Sequence, residues 1–349
     1  MLVPTLVVSD LHLGARLGND VLRRPAPRER LLAAIEGAGR LVLLGDVVEL
    51  LEGRPQRAME IAEPVLRAIG QALGAEREVV IVPGNHDSPL VRAWVRRTGS
   101  ALGLASSVSP DATPALARVA AWLAPGRVRV EYPGTWLTDR IWATHGHYLN
   151  RHLLPASAVG VARGLLGRLP RDGATPIDYE LGGGPSLARV ESLLTRWLPR
   201  PLAALVEDLM DLARAATMPR IPNRFGFPRN VLDERIAPVT SRLLSVQVRR
   251  ASIPALARVV HRLGVDADWV VFGHVHRLGP LAGDDAGDWR GPGGSPRILN
   301  TGSWLYEPLL VHRAAPPHPY WPGGAVLLEP GAEPRPVGLL DDLDAAALR

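Results

Sequence analysis

The stretch VVIVPGNHD (79–87) is an apolar run that ends abruptly in residues suited to metal binding and proton transfer. Four other runs end in the same way: LVVSDLH (6–12), LVLLGD (41–46), IWATHGH (141–147) and WVVFGHVH (269–276). Short Val, Ile and Leu runs bounded by turn residues predict buried strands. Open sheets flanked by helices bind ligands at the carboxyl ends of their strands. We therefore expect the polar ends of all five runs to meet at one site.

The polar residues at these strand ends offer oxygen and imidazole nitrogen and no sulfur. This donor set suits Mn, Fe, Zn or Co, whereas Ca and Mg favour oxygen alone. A carboxylate such as Asp46, approached from two sides, can bridge two cations about 3.5 to 4 Å apart. Water held between such cations loses a proton near neutral pH, and a metal-bound hydroxide of this kind can attack phosphorus. The pattern predicts hydrolysis of a phosphate ester at a binuclear centre.

The motifs D-x-H, G-D-x-x-E, G-N-H-D, H-G-H and G-H-V-H, in this order, resemble those of the calcineurin-like metallophosphoesterase family from Leu2 to Trp304. The resemblance implies an α/β fold, a four-layer α/β/β/α sandwich with a helical insertion that acts as a lid. It also implies two divalent cations, for which we expect Mn, with Fe, Zn or Co as alternatives. One cation would be held by Asp10, His12, Asp46 and His276, and the other by Asp46, Asn85, His145 and His274.

On the same resemblance His86 is a catalytic residue and not a ligand. It would donate a proton or a hydrogen bond to the leaving oxygen, and Asp87 would orient its ring. Imidazole suits this task because its ordinary pKa lies near 6.5. A local alternative is a helix start with Ser88 as N-cap and Pro89 at the first helical position. The two interpretations are compatible.

Composition limits the other possibilities. The chain has 349 residues and no cysteine, which excludes a disulfide framework and a thiolate nucleophile and fits a cytoplasmic protein. The first apolar run lacks a basic start and ends at a proposed ligand, so we interpret it as a core strand and not as a signal peptide. Fifteen arginines and nine acidic residues lie between Arg151 and Arg250, a net charge of +6. Such a segment attracts polyanions or an anionic membrane surface.

The chain divides by its patterns into a core and an insertion. Strands and helices alternate up to about residue 98, which predicts a sheet covered by helices. RVRVEY (127–132) and TWLTDRIWAT (135–144) are expected to be paired strands that deliver His145. We assign residues 1–147 and 264–338 to the metallophosphoesterase core, 148–263 to a basic helical insertion or lid, and 339–349 to a C-terminal tail.

The insertion consists of helical patterns that mix apolar residues with arginines, for example at 153–169, 186–216 and 236–250. None contains the roughly 18 uncharged apolar residues of a membrane span, so no transmembrane segment is predicted. These amphipathic helices can pack on the core, cover a substrate as a lid, or rest on the inner membrane surface as a peripheral contact.

Within the family, SDLHLG, GDVVEL and the helical insertion resemble the UDP-2,3-diacylglucosamine hydrolase branch, which cleaves a pyrophosphate. The chain departs from that branch at His86, where Arg is common, and at His147, where Asp is common. His147 and Arg151 are our candidates for binding substrate phosphate. The expected substrate is a phosphate-containing small molecule or a lipid-linked phosphate, cleaved at a phosphodiester or pyrophosphate bond.

Three alternatives stay open at this stage. A nuclease could use the basic segment along a nucleic-acid backbone, although aromatic residues for base stacking are sparse there. A non-catalytic scaffold of the same fold could bind proteins. The presence of His86 and of every ligand type argues against this alternative. A protein phosphatase or a cyclic-nucleotide phosphodiesterase is the third.

Overall fold

The computed structural model describes residues 3–153, 170–181 and 229–349, with side chains from residue 237 onward in the last range. Its strands are β1 Thr5–Val8, β2 Arg40–Leu43, β3 Glu78–Ile81, β4 Ser106–Val108, β5 Arg127–Tyr132, β6 Gly134–Thr138, β7 Ile141–Thr144, β8 Trp269–Phe272, β9 Arg297–Asn300, β10 Gly324–Leu328 and β11 Arg335–Gly338. The helices are α1 Pro25–Glu36, α2 Pro55–Leu73, α3 Arg92–Thr98, α4 Pro114–Trp122, α5 Pro176–Leu181, α6 Arg229–Gln247, α7 Ile253–Arg262, α8 Pro308–Val311 and α9 Ala345–Leu348.

The strands form two sheets. A seven-stranded sheet has the order β11-β10-β1-β2-β3-β5-β4, and a four-stranded sheet has the order β6-β7-β8-β9. The strands β1, β2, β3 and β5 run parallel in the first sheet, as do β7, β8 and β9 in the second. Because parallel strands share one carboxyl edge, the five motif strands present their polar ends together.

The hydrophobic core of the described residues has three large parts and a small fourth one around Tyr148, Tyr179 and Val259. Residues from both sheets, including Val7, Val80 and Val271, form an apolar layer between the sheets. The outer face of the large sheet is covered by α1, α2 and α4, and the outer face of the small sheet by α7. The arrangement is a mixed α/β fold with the layers α/β/β/α, which confirms the predicted fold class.

Several predicted elements form with small shifts of boundary, and two differ. RVRVEY is β5, which pairs with β3 in the large sheet, whereas β6 and β7 pair with each other in the small one. The expected pairing of RVRVEY with the next run was therefore wrong, since the chain crosses between sheets at Pro133. The helix expected from Pro89 begins with a 3-10 turn, Ser88–Leu90, and becomes α-helical only at Arg92.

The predicted insertion is described in part. Its helical patterns at 153–169 and 186–216 lie outside the described residues. Helix α7 falls within the predicted insertion, yet Ile253, Leu256 and Val260 pack into the core beneath the small sheet. No helix within the described ranges is long and apolar enough to cross a membrane.

Candidate metal centre

The predicted ligands converge at the carboxyl edge of the two sheets. Three groups of side chains bring their ligand atoms within 4.8 Å of one another: Asp10, His12 and His276; His12, Glu49 and His86; and Asp46, His145 and His274. Asn85 joins the third group, since its Oδ1 lies 3.1 Å from His145 Nε2. The seven predicted ligands are named the metal cluster: Asp10, His12, Asp46, Asn85, His145, His274 and His276.

The backbone beneath the metal cluster is strained. Six non-glycine residues in the described part of the chain have positive φ, and five of them belong to the metal cluster: Asp10, His12, Asp46, His274 and His276. Each such conformation costs of order 1 to 3 kcal/mol and persists only where the surroundings impose it. The strain therefore concentrates where the sequence predicts chemistry.

Glycines allow the metal cluster to close up. A Cβ on Gly84 would lie 2.4 Å from Asp46 Oδ1, and one on Gly273 would lie 2.5 Å from Asp10 Oδ2. Gly45 has φ +85, and a Cβ there would lie 2.3 Å from His145 Nδ1. Any larger residue would push a ligand away, so these glycines are required by close approach as well as by the turn.

The distances between ligand atoms fit shared cations. Two ligands about 2.1 Å from one ion, at tetrahedral or octahedral angles, lie about 3.0 to 3.4 Å apart. His276 Nε2 lies 3.1 Å from Asp10 Oδ1, and His145 Nε2 lies 3.1 Å from Asp46 Oδ2. His12 Nε2 lies 3.3 Å from His276 Nε2. Two ring nitrogens that face each other at this distance suit a common cation.

In two of the ligand rings, the nitrogen that faces away from the metal cluster has a hydrogen-bond partner within the protein. His145 Nδ1 donates a hydrogen bond of 3.0 Å to the carbonyl oxygen of Leu44, and His12 Nδ1 lies 2.9 Å from Glu49 Oε2. Each partner fixes the tautomer in which Nε2 carries a lone pair toward the metal cluster. Histidine ligands of protein-bound metals are held in this way.

The buried carboxylates of the metal cluster favour positive charge beside them. Burial raises the pKa of Asp10, but the ring of His276 outweighs burial and lowers that pKa to about 2. Asp46 behaves alike: burial opposes ionisation, and the neighbouring rings still hold its pKa well below the ordinary value. Burial disfavours a charged His145, yet Asp46 raises the pKa of that ring to about 9. Bound cations would replace the protons that the rings otherwise take up.

Glu49 connects the metal cluster to His86. Its buried carboxylate lies 2.9 Å from His12 Nδ1 through Oε2 and 2.9 Å from His86 Nδ1 through Oε1. Burial raises the pKa of Glu49, and the two histidines together lower it to about 2. Burial lowers the pKa of His86, whereas Asp46 and Glu49 raise it to about 10. The G-D-x-x-E motif contains Glu49, but no local pattern indicates which histidine rings this side chain contacts.

The structure places Asp87 differently from the prediction. Asp87 is buried, and its two oxygens accept hydrogen bonds from the backbone N–H groups of Val47, at 2.8 Å, and Gly84, at 2.5 Å. The expected orienting contact with His86 is made by Glu49 instead. Burial, followed by the charge of Asp46, raises the pKa of Asp87 to about 6. Its position supports the turn that carries Asn85 and His86.

The two predicted substrate contacts lie beside α5. The ring of His147 lies near that of His145, with centroids 5.6 Å apart and the planes tilted by 38°, and His147 Nε2 lies 3.8 Å from Glu180 Oε1. Glu180 also accepts hydrogen bonds from the hydroxyls of Tyr132 and Tyr148. These four residues are named the anchor cluster: Tyr132, His147, Tyr148 and Glu180. Arg151 donates to the carbonyl oxygen of Tyr179 at 2.8 Å, which ties it to the same helix.

Sequence reasoning missed several supporting residues behind the metal cluster. Ser9 donates a hydrogen bond to Asp10 and lies 2.5 Å from the Thr301 hydroxyl. Asn300 donates to the carbonyl oxygen of Gly273 at 2.7 Å and so holds the turn before His274. Ser9 could have been suspected from its place beside a ligand, whereas no pattern marks Asn300 or Thr301.

Comparison with known proteins gives one informative result. The family model described as calcineurin-like phosphoesterase matches residues 3–186, just over half of the chain. A search of curated proteins finds no match. Similar solved structures include a cold-active protein-tyrosine phosphatase of the psychrophile Shewanella sp. and a point mutant of a cold-active protein tyrosine phosphatase. Their identities are 12% and 14%, their TM-scores are 0.29 and 0.30, and each alignment covers 95% of this chain and 76% of the other. At TM-scores this low, the two structures do not establish a shared fold or function.

Proposed function

Because the chain belongs to the calcineurin-like phosphoesterase family, we propose that it hydrolyses a phosphodiester or pyrophosphate bond with two divalent cations held in the metal cluster. The observation that carries the proposal is the convergence of seven oxygen and nitrogen ligands from five strand ends. The strained backbone under five of them supports a role beyond stability.

Asp46 is the proposed bridge between the two cations. Its Oδ2 lies 3.8 Å from His12 Nε2 on one side and 3.1 Å from His145 Nε2 on the other. One cation would then be held by Asp10, His12, Asp46 and His276, and the other by Asp46, Asn85, His145 and His274. When bound, such a pair neutralises phosphate charge and lowers the pKa of water to near neutrality. The mixed donor set favours Mn, with Fe, Zn or Co as alternatives.

His86 is the proposed proton donor to the leaving-group oxygen. Glu49 occupies its Nδ1, and the backbone N–H of His86 donates to Asp46 Oδ1 at 2.7 Å. The His86 side chain is 23% exposed, against 6% for His12, so it has access to a substrate. Its Nε2 is the atom that would carry the proton. Asp87 acts indirectly in this scheme, by fixing the turn below His86.

Substrate recognition is proposed at the side of the metal cluster that faces α5. His147 lies next to His145, and we propose that it contacts substrate phosphate. Arg151 is held by the Tyr179 carbonyl, which favours a role in placing α5 over direct phosphate binding. The substrate would be a small-molecule or lipid-linked phosphate. Cytoplasmic location, which the lack of cysteine favours, is part of the proposal, and so is peripheral contact with an anionic membrane, which the charge of residues 151–250 favours.

The test is a hydrolysis screen with metal analysis on the same sample. Protein is stripped with chelator, reloaded with Mn, and assayed on bis-p-nitrophenyl phosphate, a nucleotide-sugar diphosphate and p-nitrophenyl phosphate. We expect two metal ions per chain, and faster turnover of a diester or diphosphate than of the monoester. Two bound metals without hydrolysis of any compound would contradict an enzymatic role. Preference for the monoester would reject the proposed bond type.

A further inference from the structure

A groove of about 680 Å³ lies between α6 and the segment that follows α8. This size is in the usual range of small-molecule pockets. The lining contains no member of the metal cluster and none of the anchor cluster. We name this feature the arginine groove, and its lining residues used in the argument are Arg242, Val246, Arg249, Leu310, Arg313 and Pro319.

The charged lining of the arginine groove is entirely cationic. Arg242, Arg249 and Arg313 contribute guanidinium groups, and no Asp or Glu lines the groove among the residues whose side chains the structure describes. Arg249 sits in the π-helical turn Val248–Ser252 that continues α6, a type of turn frequent at functional sites. A guanidinium fork binds phosphate oxygens in pairs, so this wall fits an anionic phosphate group.

Arg249 is held in position from behind. It lies 3.6 Å from Asp284 Oδ1, and Asp284 in turn accepts hydrogen bonds of 2.6 and 3.0 Å from the buried Arg277. Arg249 Nε also lies 3.6 Å from Asp288 Oδ2, and both carboxylates stand beyond normal hydrogen-bond distance, so the guanidinium keeps N–H donors for an anion. A cationic side chain fixed in this way loses less conformational entropy when an anion binds.

Part of the remaining lining is apolar and lies beside the polar side chains of Ser241, Ser245, His312 and His318. Val246 is 38% exposed, and Leu310 and Pro319 complete an apolar wall. Apolar surface beside cationic side chains suits a ligand with an anionic end and a hydrocarbon or ring portion. A purely inorganic anion would leave the apolar wall in water.

The backbone at Arg313 gives an independent observation. Its φ is 56, which makes it the sixth positive-φ non-glycine in the described part of the chain and the only one of the six outside the metal cluster. Local strain of this kind costs of order 1 to 3 kcal/mol and clusters at functional positions. Here it presents an arginine at a groove lined by two others.

From these observations we propose that the arginine groove is a binding site for a small organic phosphate with an apolar portion. The phosphate would pair with the three arginines, and the apolar portion would lie against Val246, Leu310 and Pro319. The site is distinct from the metal cluster and does not depend on the proposed hydrolysis. Binding should therefore persist when the metals are removed.

The test is binding of hexyl phosphate to the full-length protein by titration calorimetry, before and after chelation. Chelated protein cannot hydrolyse the probe through metals, so binding there reports on the groove. We expect one saturable site after chelation, with hexyl phosphate binding about tenfold tighter than inorganic phosphate because part of the alkyl chain is buried. Hexanol should not bind. Loss of all binding on chelation, or equal affinity for both phosphates, would overturn the proposal.

Two matched pairs of variants locate the site. Arg242→Gln should weaken hexyl phosphate binding about tenfold, whereas Arg250→Gln removes the same charge at an exposed position outside the lining and should leave affinity within about twofold. Val246→Glu places a carboxylate in the groove and should abolish binding. Leu243→Glu is its control, since Leu243 is 66% exposed on the same helix and does not line the groove. Equal effects within either pair, with melting temperatures unchanged, would reject the groove as the site.

Discussion

The metal cluster and the anchor cluster are both buried sets of polar side chains, yet they are built in opposite ways. In the anchor cluster, Glu180 finds its partners within the chain, the hydroxyls of Tyr132 and Tyr148. In the metal cluster, ring nitrogens face each other and buried carboxylates crowd together, and five of the seven ligands have positive φ. No anchor residue has this strain.

The difference indicates what each cluster is for. A polar group that is paired inside the chain on unstrained backbone stabilises the fold, whereas groups on strained backbone persist where function requires them. Substitutions in the metal cluster should therefore reduce activity more than stability. Substitutions of Tyr132, Tyr148 or Glu180 in the anchor cluster should do the reverse. The predictions below test this contrast.

Asp46→Asn should give the largest effect. The amide keeps an oxygen for the His86 backbone N–H but loses the charge needed to bridge two cations. We expect activity to fall at least about 10³-fold and bound metal to drop below two ions per chain, with the metal-free unfolding free energy changed by about 1 kcal/mol. Elemental analysis and urea denaturation measure both. Two metals and full activity in the variant would remove the bridging assignment.

His86→Gln should give the next largest effect, on turnover alone. Proton donation by a positioned histidine contributes typically about 10² to 10⁴-fold, most for poor leaving groups. We therefore expect kcat to fall in this range for alkyl diesters and much less for p-nitrophenyl esters, with two metals retained. A rate loss independent of the leaving group would argue that His86 has no acid role.

Glu49→Gln separates positioning from ligation. Glu49 contacts both His12 and His86, and the variant keeps the shape of this side chain but removes its charge. The hydrogen bonds from Nδ1–H of the two rings therefore become weaker, and the tautomer of each ring is less firmly fixed. Partners of this kind are worth about 10- to 100-fold in activity or metal affinity. Metal titration and kcat should both change. Glu60→Gln, at an exposed position on α2, controls for lost charge and should change neither.

Whether a contact could be predicted from the sequence depends on how far apart its residues lie along the chain. The ligands could be predicted because each follows its own strand directly, and parallel strands share an edge. Glu49 lay inside a recognised motif, but its two ring partners come from loops after β1 and β3 and depend on how the sheet closes. The family resemblance implies that Asp87 orients the ring of His86, whereas the fold turns Asp87 toward the backbone of Val47. The local sequence pattern specifies which side chains lie at the carboxyl edge of the sheets. It does not specify which of those side chains contact one another.

The sheets and the anchor cluster show the same limit. RVRVEY has strand character in isolation, but its sheet is decided by the cross-over at Pro133, which no periodicity reveals. Glu180 meets Tyr132 across 48 residues of sequence separation. Its burial depends on α5 folding back beside His147. Contacts of this range follow from the assembled core.

Glu180→Gln should affect stability more than chemistry. Although burial raises the pKa of Glu180, its hydrogen-bond donors hold that pKa below the ordinary value, so the carboxylate is charged in the folded protein. Replacing charge-assisted bonds by neutral ones should lower the unfolding free energy by about 1 to 2 kcal/mol. Hydrolysis of p-nitrophenyl esters should stay within about threefold. Glu329→Gln, on the exposed surface, is the control. A larger loss of activity than of stability would break the contrast between the clusters.

The smallest expected effect is a pH dependence next to the anchor cluster. Burial first, then Arg262, Arg258 and Arg151, lowers the pKa of His152 to about 4, and its Nε2 forms a hydrogen bond of 2.9 Å with the Tyr179 hydroxyl. The unfolded chain binds a proton near pH 6.5, whereas the folded protein does so only near pH 4. The stabilisation is therefore complete above pH 6.5 and is lost as pH falls toward 4.

In metal-free protein, His152→Gln should flatten this dependence, because the amide can still form a hydrogen bond with the Tyr179 hydroxyl and takes up no proton. Between pH 6.5 and 4 the unfolding free energy of the wild type should fall further than that of the variant, by on the order of 1 kcal/mol. His261→Gln, at an exposed position on α7, controls for the loss of one imidazole. Urea denaturation across the pH range measures all three proteins. Parallel curves for wild type and His152→Gln would show that His152 is not held neutral in the fold, since only a ring with a depressed pKa makes the two proteins diverge as the solution is acidified.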